Sequence, residues 1–257
     1  MITSTHNSKI QQVRDLLGRS KERREAGAFI AEGIRLVEDA LATEWPFQFV
    51  LAGENLSERG KTLVARLQSR GVNVEIVADH LIQSVSETET SQGVLAVLDG
   101  SRLPIPQSLS FALILDQIRD PGNLGTLLRT AAAAGVQAVL LPPETADAFA
   151  PKVVRAGMGA HFRLPIRSLT WEEIRTTTQG LKIHLADMEG VIPCWQANFS
   201  NPLALIVGGE ADGASQPAQE LATSQVSIPM PGKVESLNAA VAGAILMFEV
   251  VRQRRGE

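Results

Sequence analysis

The chain has 257 residues, of which 44% are hydrophobic; this length allows one large buried core or two moderate ones and excludes a disordered or fibrous protein. Its 24 Lys and Arg residues against 28 Asp and Glu give a net charge of -4, which argues against nucleic-acid binding through overall basicity. The single cysteine and four scattered histidines predict a reducing compartment and no structural metal. No apolar window approaches the roughly 20 residues of a membrane span or resembles a signal peptide, so a cytoplasmic location is expected.

The first hundred residues alternate strand-like apolar runs with helical periodicity, the pattern of a compact α/β domain. One helix is predicted to start at Asn7 or Ser8, because apolar residues recur along a single face. A second repeats that spacing from residue 34 to residue 41, and a third runs from about residue 57 to residue 70, where Gly71 ends it. Four strands are predicted, at residues 29–32, 49–52, 72–77 and 93–98.

Residues 99–108 have the composition of a linker, with two prolines, a glycine and little apolar periodicity. We therefore predict a domain of residues 1–100, a linker at 101–108 and a second domain of residues 109–257. In the second domain, continuous apolar runs separated by helical segments predict the βαβ layout of a buried parallel sheet. The predicted strands are residues 111–116, 138–141, 181–186, 203–208 and 226–229.

The last predicted helix, from about Ser236 to Arg254, is small or apolar nearly all round over its first three turns. A helix without a polar face must be buried on more than one side. We expect its own sheet to cover one side and a second subunit to cover another, so a homodimer is the expected assembly.

Three glycine-bearing loops follow predicted strands, and each places backbone N–H groups at the carboxyl edge of the sheet, where ligands of open α/β folds bind. None contains the GxGxxG fingerprint of dinucleotide enzymes or the P-loop of NTPases, which argues against both classes. In the first loop, residues 116–135, an Asp-Pro-Gly-Asn turn is predicted to precede a helix from Gly125. Helical spacing predicts that Asn123 and Arg129 face the same cleft at the sheet edge. The alternative is that residues 121–123 form an ordinary turn and that Arg129 is a surface residue.

The second and third loops each carry polar side chains beside their glycines or prolines. In residues 207–213, Gly208 and Gly209 end a buried strand, and Glu210 is the first side chain able to enter the cleft. An acid at the edge of a buried strand usually has a partner or a function, although a tight turn explains the glycines equally well. In the third loop, which starts at residue 228, Ser236 is placed to cap the last helix, with Asn238 in its first turn.

In order and content, the three loops closely resemble the three motifs of the SpoU, or TrmH-like, family of the SPOUT methyltransferases. The stretch Phe29–Leu41 is similar to part of that family's substrate-binding domain, so the resemblance covers nearly the whole chain. Two positions depart from the family pattern: Ala211 stands where glycine is usual, and Ala239 stands where valine is usual. Both replacements are small and should leave the loops intact.

The resemblance implies a trefoil-knotted parallel-sheet catalytic domain, a rare exception to unknotted topology, with a smaller N-terminal α/β RNA-binding domain and a homodimeric assembly. It also implies methylation of an RNA ribose 2′-oxygen with S-adenosylmethionine as the donor. Arg129 would orient the phosphate and the 2′-oxygen of the target nucleotide first and remove a proton only second, since a guanidinium is normally always charged. The residues implied to hold this arginine and the substrate in place are Asn123, Glu210, Ser236 and Asn238. Those implied to line the donor pocket are Gly208, Gly209, Ile228, Met230 and Leu237.

Two basic stretches are the predicted RNA contacts. Residues 9–35 contain seven Lys and Arg against four acids, and residues 152–167 contain four with no acid. Solvated faces explain such stretches equally well. Structured rRNA is the expected substrate, and the alternatives are a tRNA methyltransferase of the same superfamily or a catalytically silent RNA-binding protein of this fold. The candidate RNA-binding residues are Arg23, Arg24, Arg35, Arg155 and Arg163.

Overall fold

A computed structural model describes residues 1–88, 90–100, 103–209, 213–232 and 236–255. The chain forms two compact units: Met1–Ser101 with Phe149–Phe162, and Arg102–Ala148 with Arg163–Glu257. The first is built on a four-stranded sheet and the second on a seven-stranded sheet, which confirms the predicted α/β class. The functional division at residues 101–108 stays a prediction.

Helices and strands alternate along the chain as the apolar pattern predicts. The strands are β1 Ala28–Glu32, β2 Phe47–Gly53, β3 Val74–Val77, β4 Val94–Asp99, β5 Phe111–Asp116, β6 Ala138–Leu141, β7 Ile166–Ser168, β8 Lys182–Ala186, β9 Ile192–Pro193, β10 Leu203–Gly208 and β11 Ser224–Ser227. The helices are α1 Ser8–Gly18, α2 Ser20–Ala26, α3 Ile34–Ala42, α4 Glu58–Ser69, α5 Asp79–Ser84, α6 Pro121–Ala133, α7 Pro151–Gly157, α8 Trp171–Thr177, α9 Gln216–Leu221 and α10 Ala239–Arg255. In the part of the chain that the structure describes, none of these helices combines the length and apolar content needed to cross a bilayer.

The first unit has the strand order β1-β4-β2-β3, antiparallel except for the β2–β3 pair. Its first helix, α1, begins where the Asn7 side chain accepts a hydrogen bond from the Lys9 N–H at 2.9 Å, a capping role that asparagine favours. The predicted apolar face of α1 is buried in the core of this unit at Ile10, Val13 and Leu16. The position and the buried face of this helix are therefore confirmed.

Residues 149–162 belong to the first unit although the chain reaches them only after β6. Phe149, His161 and Phe162 surround Phe29 of β1, with ring centroids 5.1, 6.3 and 6.3 Å from that of Phe29. The local apolar pattern does not predict that this segment belongs to the first unit, because the pattern indicates that a segment is buried but not in which core.

The second unit has the strand order β7-β6-β5-β10-β8-β11-β9, and every neighbouring pair is parallel. The predicted parallel sheet is confirmed, with β5 buried along its whole length. Because β5, β10 and β8 are adjacent and parallel, the loops that follow these strands leave the same edge of the sheet. Loops that are distant in sequence are thereby brought close together.

The start of α6 differs from the prediction. The helix begins at Pro121 and not at Gly125, so the Asp-Pro-Gly-Asn segment forms its cap and first turn. Asp120 is the cap, since its carboxylate accepts a hydrogen bond from the Asn123 N–H at 2.8 Å. Proline suits the first helical position because its missing N–H would have no partner there.

Candidate active site

A cavity of about 480 Å³ opens in the second unit at the carboxyl ends of β8 and β10 and beside the segment that follows β11. It is lined by residues of the second and third glycine-bearing loops, which the strand order brings together. Ser236 and Asn238 lie in its wall. All five residues predicted for the donor pocket also line it, namely Gly208, Gly209, Ile228, Met230 and Leu237.

The size and chemistry of this cavity fit S-adenosylmethionine. Its volume lies within the range of about 300–1,000 Å³ that is usual for small-molecule sites. Val226, Ala242 and Leu246 supply apolar wall, and the glycines leave main-chain polar groups accessible. Apolar surface with a few main-chain donors and acceptors suits the adenosine part of such a ligand.

Asp187 is a lining residue that the sequence reasoning missed. It directly follows β8, and its Oδ1 accepts a hydrogen bond from the Glu189 N–H at 2.9 Å. Among the described residues of the lining it is the only one with an ionisable side chain. The signal that singled out Glu210, an acid just after a buried strand, applies equally to Asp187.

The two glycines after β10 are required by close backbone packing. A Cβ atom at Gly208 would lie 3.0 Å from the Gly213 carbonyl and the Ala214 nitrogen. A Cβ atom at Gly209 would lie 2.6 Å from the Gln117 carbonyl oxygen, which is closer than real Cβ atoms approach. Gly208 therefore lets the loop after β10 pack closely on itself, and Gly209 lets it lie directly against the loop after β5.

Asn238 connects the third loop to the first. Its Oδ1 accepts hydrogen bonds from the Ala240 N–H at 2.9 Å and the Val241 N–H at 3.3 Å, so Asn238 caps α10. Its Nδ2 donates to Asn123 Oδ1 at 3.0 Å. The prediction that Ser236 caps this helix is wrong, because α10 begins at Ala239 and asparagine caps a helix as well as serine does.

Arg129 does not share the mouth of the cavity with Asn123. Its side chain is exposed on α6, and it forms no hydrogen bond or ion pair within the described ranges of the chain. Six helical positions separate the two residues, which turns them to different sides of α6. Neither residue lines the cavity, but Asn123 accepts a hydrogen bond from the lining residue Asn238.

One acid belongs to the loop that follows β10, and a second acid contacts the end of that loop. Glu210 lies outside the described residues. Asp116, at the end of β5, is buried, and its Oδ2 accepts a hydrogen bond from the Ser215 N–H at 2.7 Å. Ser215 in turn caps α9, so Asp116 anchors the far end of the loop that carries Glu210. The first-loop motif contains Asp116, but its partner almost a hundred residues away could not be predicted.

The predicted RNA-binding arginines differ in their availability. Arg23 is buried, and its Nη1 donates to the carbonyl oxygens of Leu16 at 2.5 Å and Leu17 at 3.2 Å. Because these carbonyls end α1, Arg23 has a structural role, and its assignment as an RNA contact is wrong. The other four remain at least partly exposed, namely Arg24, Arg35, Arg155 and Arg163.

Comparison with known proteins identifies the class to which this fold and cavity belong. Residues 110–248 match the SpoU rRNA Methylase family, and residues 7–96 match the MRM3-like substrate binding domain. The chain therefore belongs to the SpoU rRNA Methylase family, which confirms the resemblance carried by the three loops.

Known proteins match this chain over nearly their full length. An uncharacterized tRNA/rRNA methyltransferase of Synechocystis sp. is 35% identical over 98% of this chain and 94% of its own length. The 23S rRNA (guanosine(2553)-2′-O)-methyltransferase RlmP of Bacillus subtilis is 33% identical over 97% of this chain and 98% of its own. The AdoMet-bound crystal structure of an rRNA methyltransferase from Sinorhizobium meliloti matches with a TM-score of 0.86 at 31% identity, covering 98% of this chain and 97% of that one.

Proposed function

We propose that this protein transfers a methyl group from S-adenosylmethionine to a ribose 2′-hydroxyl of rRNA, as a cytoplasmic enzyme. The observation that carries the proposal is the 480 Å³ cavity in which the second and third motif loops meet. Its apolar walls and main-chain polar groups suit the donor. The match to the B. subtilis 23S rRNA enzyme along nearly the whole chain supports rRNA as the substrate.

The residues of the site have separate parts in the reaction. S-adenosylmethionine bound in this cavity would supply an electrophilic methyl group to the ribose 2′-oxygen, with S-adenosylhomocysteine as the leaving group and the hydroxyl proton released to solvent. The cavity walls hold the donor and exclude water, which strengthens the electrostatic interactions inside. Asn238 and Asn123 fix the third loop against the first, so the reacting groups are held in one geometry.

Arg129 is proposed to orient the phosphate and 2′-oxygen of the target nucleotide. Arg129 lies on the exposed side of α6 and outside the cavity lining, so in this role it must be brought to the reacting nucleotide. Either the bound RNA strand contacts both α6 and the cavity, or Arg129 acts at the cavity of a second protomer. Its permanent charge and planar set of N–H donors suit a phosphate and a developing oxyanion.

Methyl transfer to a 23S rRNA transcript, with radiolabelled donor and the purified protein, tests the proposed function. We expect label in the transcript, and nuclease digestion should yield a 2′-O-methylated nucleoside. Label in a base, or in tRNA but not in the transcript, would identify the alternative enzyme of the same superfamily. Donor binding without transfer to 23S rRNA or tRNA would identify a catalytically silent RNA-binding protein.

Substitutions of Asn238 should separate its capping role from its bridging role. Asn238→Asp keeps an oxygen acceptor at the start of α10 but loses the amide that donates to Asn123, so folding stability should stay near parental while methyl transfer slows. Asn238→Ala loses both roles and should also cost about 0.5–2 kcal/mol of stability. Chemical denaturation and methyl-transfer rates measure the two effects. Parental turnover in Asn238→Asp would show that the bridge to Asn123 is dispensable.

We also propose a homodimer that uses an apolar stripe on α10. Val241, Ile245 and Phe248 recur at helical spacing and are 49%, 40% and 49% exposed. The opposite side of α10 is buried, where Gly243 allows contact with Leu127 of α6. A second copy of this helix would cover an exposed apolar stripe with apolar surface of the same kind.

Phe248→Glu is expected to convert the dimer to a monomer, because it places a charge within the apolar stripe. Sedimentation equilibrium should show the molar mass falling to half of the parental value. Val191→Glu is the matched control, since Val191 is exposed outside α10, and it should leave the dimer intact. A parent that is already monomeric at micromolar concentration, or a Phe248→Glu variant that remains dimeric, would contradict the assignment.

A further inference from the structure

Asp187 places a carboxylate in the donor cavity, and the other described residues of the lining carry no ionisable side chain. It directly follows β8, at the sheet edge from which the loops after β5 and β10 also leave. The residue is half-buried and lines the cavity, so a bound ligand can meet its side chain. The uncharged wall around it includes Val207, Ile228 and Leu246. A single charge in such surroundings acts more strongly on a charged ligand than it would in water.

The backbone holds Asp187 in a fixed position. Its N–H donates to the Val226 carbonyl oxygen at 3.0 Å, and its own carbonyl oxygen accepts from the Gly190 N–H at 3.2 Å. Gly190 packs so closely against β11 that a Cβ atom there would lie 2.7 Å from the Val226 carbonyl carbon. Residues 187–190 therefore form a tight turn against the neighbouring strand. A charge on this turn is held in place before any ligand arrives, which is what selective binding requires.

In the part of the chain that the structure describes, one of the two carboxylate oxygens of Asp187 serves this turn. Oδ1 accepts a hydrogen bond from the Glu189 N–H at 2.9 Å. Oδ2 has no hydrogen-bond partner, and the carboxylate has no ion-pair partner, within those described ranges. A side chain that closes its own turn needs an oxygen acceptor and not a charge, and asparagine supplies one as well as aspartate does. The turn therefore leaves the negative charge of Asp187 unexplained.

The donor and the product of the proposed reaction differ in charge at one atom. S-adenosylmethionine carries a sulfonium cation. When its methyl group is transferred, the electron pair of the broken carbon–sulfur bond stays on sulfur, so S-adenosylhomocysteine has a neutral thioether. The adenosine, amine and carboxylate parts of the two molecules are the same, and apolar walls and main-chain groups contact those parts in both. A charged wall residue separates the two molecules by an interaction that only one of them makes.

We propose that Asp187 gives this cavity its preference for the cationic donor over the neutral product. The inference rests on the proposed function for its choice of ligand. The carboxylate attracts the sulfonium as long as the methyl group is present, and that attraction is lost once the methyl group has left. Asp187 is thus a specificity-determining residue that favours binding of fresh donor and release of product. It takes no part in moving the methyl group or the hydroxyl proton.

Asp187→Asn is expected to weaken binding of S-adenosylmethionine by roughly 5- to 30-fold and to change the affinity for S-adenosylhomocysteine by less than about twofold. The amide oxygen still accepts the Glu189 N–H, so the turn and the thermal stability should stay parental. Calorimetric titration of the purified protein with each ligand, without RNA, measures both affinities. Asp187→Ser also removes the charge and retains an oxygen acceptor for the turn, so it should shift the ratio of the two affinities in the same direction.

Two comparisons test whether charge is the cause. Sinefungin has a carbon that carries an amine in place of the sulfonium, so it keeps a positive charge there, and its affinity should fall in Asp187→Asn as that of S-adenosylmethionine does. Glu189→Gln is the matched control, because Glu189 is an exposed acid of the same turn and lies outside the cavity lining. This variant removes the same charge from the protein and should leave the ratio of the two affinities parental.

The outcomes separate the failure of this inference from the failure of the proposed function. Equal losses of donor and product affinity in Asp187→Asn would mean that the residue contacts a part that both ligands share, which overturns the inference. A loss for S-adenosylmethionine but not for sinefungin would mean recognition of the methyl group by shape, and an equal shift in Glu189→Gln would mean an effect of overall charge; either result also overturns it. In these cases a parent that methylates the 23S rRNA transcript leaves the function standing. A parent that binds neither S-adenosylmethionine nor S-adenosylhomocysteine overturns both.

Discussion

Replacing Arg129 by alanine is expected to lower the single-turnover rate of methyl transfer by about 100- to 1,000-fold, the loss that typically follows removal of one charge-stabilising donor. Folding stability should change by no more than about 0.5 kcal/mol, because the side chain is exposed and has no polar partner within the described ranges. Donor affinity should stay parental, since Arg129 does not line the cavity. Arg129→Lys keeps the charge but loses the planar set of donors, so it should restore only part of the rate.

The measurement uses saturating donor and an excess of enzyme over the 23S rRNA transcript, which isolates the bound complex. Arg175→Ala is the matched control, because Arg175 is an exposed arginine on α8 of the same unit and outside the cavity lining. It should react at the parental rate. A near-parental rate in Arg129→Ala would remove this arginine from the mechanism and transfer its role to Glu210 and Asn238.

Gly209→Ala is expected to weaken donor binding by roughly 5- to 150-fold. The added Cβ would lie 2.6 Å from the Gln117 carbonyl oxygen, so the loops after β5 and β10 must move apart. Forcing an extra methyl group into packed structure typically costs about 1–3 kcal/mol, which corresponds to that loss of affinity if the displaced loop cannot close on the donor. Calorimetric titration with S-adenosylmethionine measures the effect.

A control in the third loop tests whether the loss of donor affinity in Gly209→Ala comes from steric crowding. Gly232 has open space where a Cβ would stand, so Gly232→Ala should bind the donor like the parent. Circular dichroism of the Gly209→Ala variant establishes that it is folded. If a folded Gly209→Ala protein bound donor with parental affinity, the loops would not need this close contact, and the assignment of the donor pocket to them would be wrong.

Part of this structure follows from the sequence read locally. The strands of the second unit were predicted because continuous apolar runs report a sheet that is buried on both faces, and β5, β6 and β10 have the predicted bounds. The three loops were singled out because glycine and proline interrupt those runs at the sheet edge. Local chemistry therefore determined the α/β class, the loops around the candidate site and the family.

Other features depend on which segments meet in space, and periodicity carries no such information. The hydrogen bond between Asn238 and Asn123 joins residues 115 positions apart, and it forms because α10 packs against α6. The position of β10 beside β8 in the sheet places Asp187, which follows β8, in the cavity. Its basic stretch predicts that Arg23 contacts RNA, but its buried guanidinium donates hydrogen bonds to carbonyl oxygens at the end of α1.

The division between the two kinds of information has a physical basis. Burial and turn formation depend on residues within a few positions of each other, so a sequence encodes them directly. The choice of core for residues 149–162 and the packing of Gly209 against Gln117 depend on long-range contacts that form only when the chain folds as a whole. The sequence by itself therefore determined the strands, the motif loops and the family, and the tertiary structure alone decided which of their side chains meet at the site.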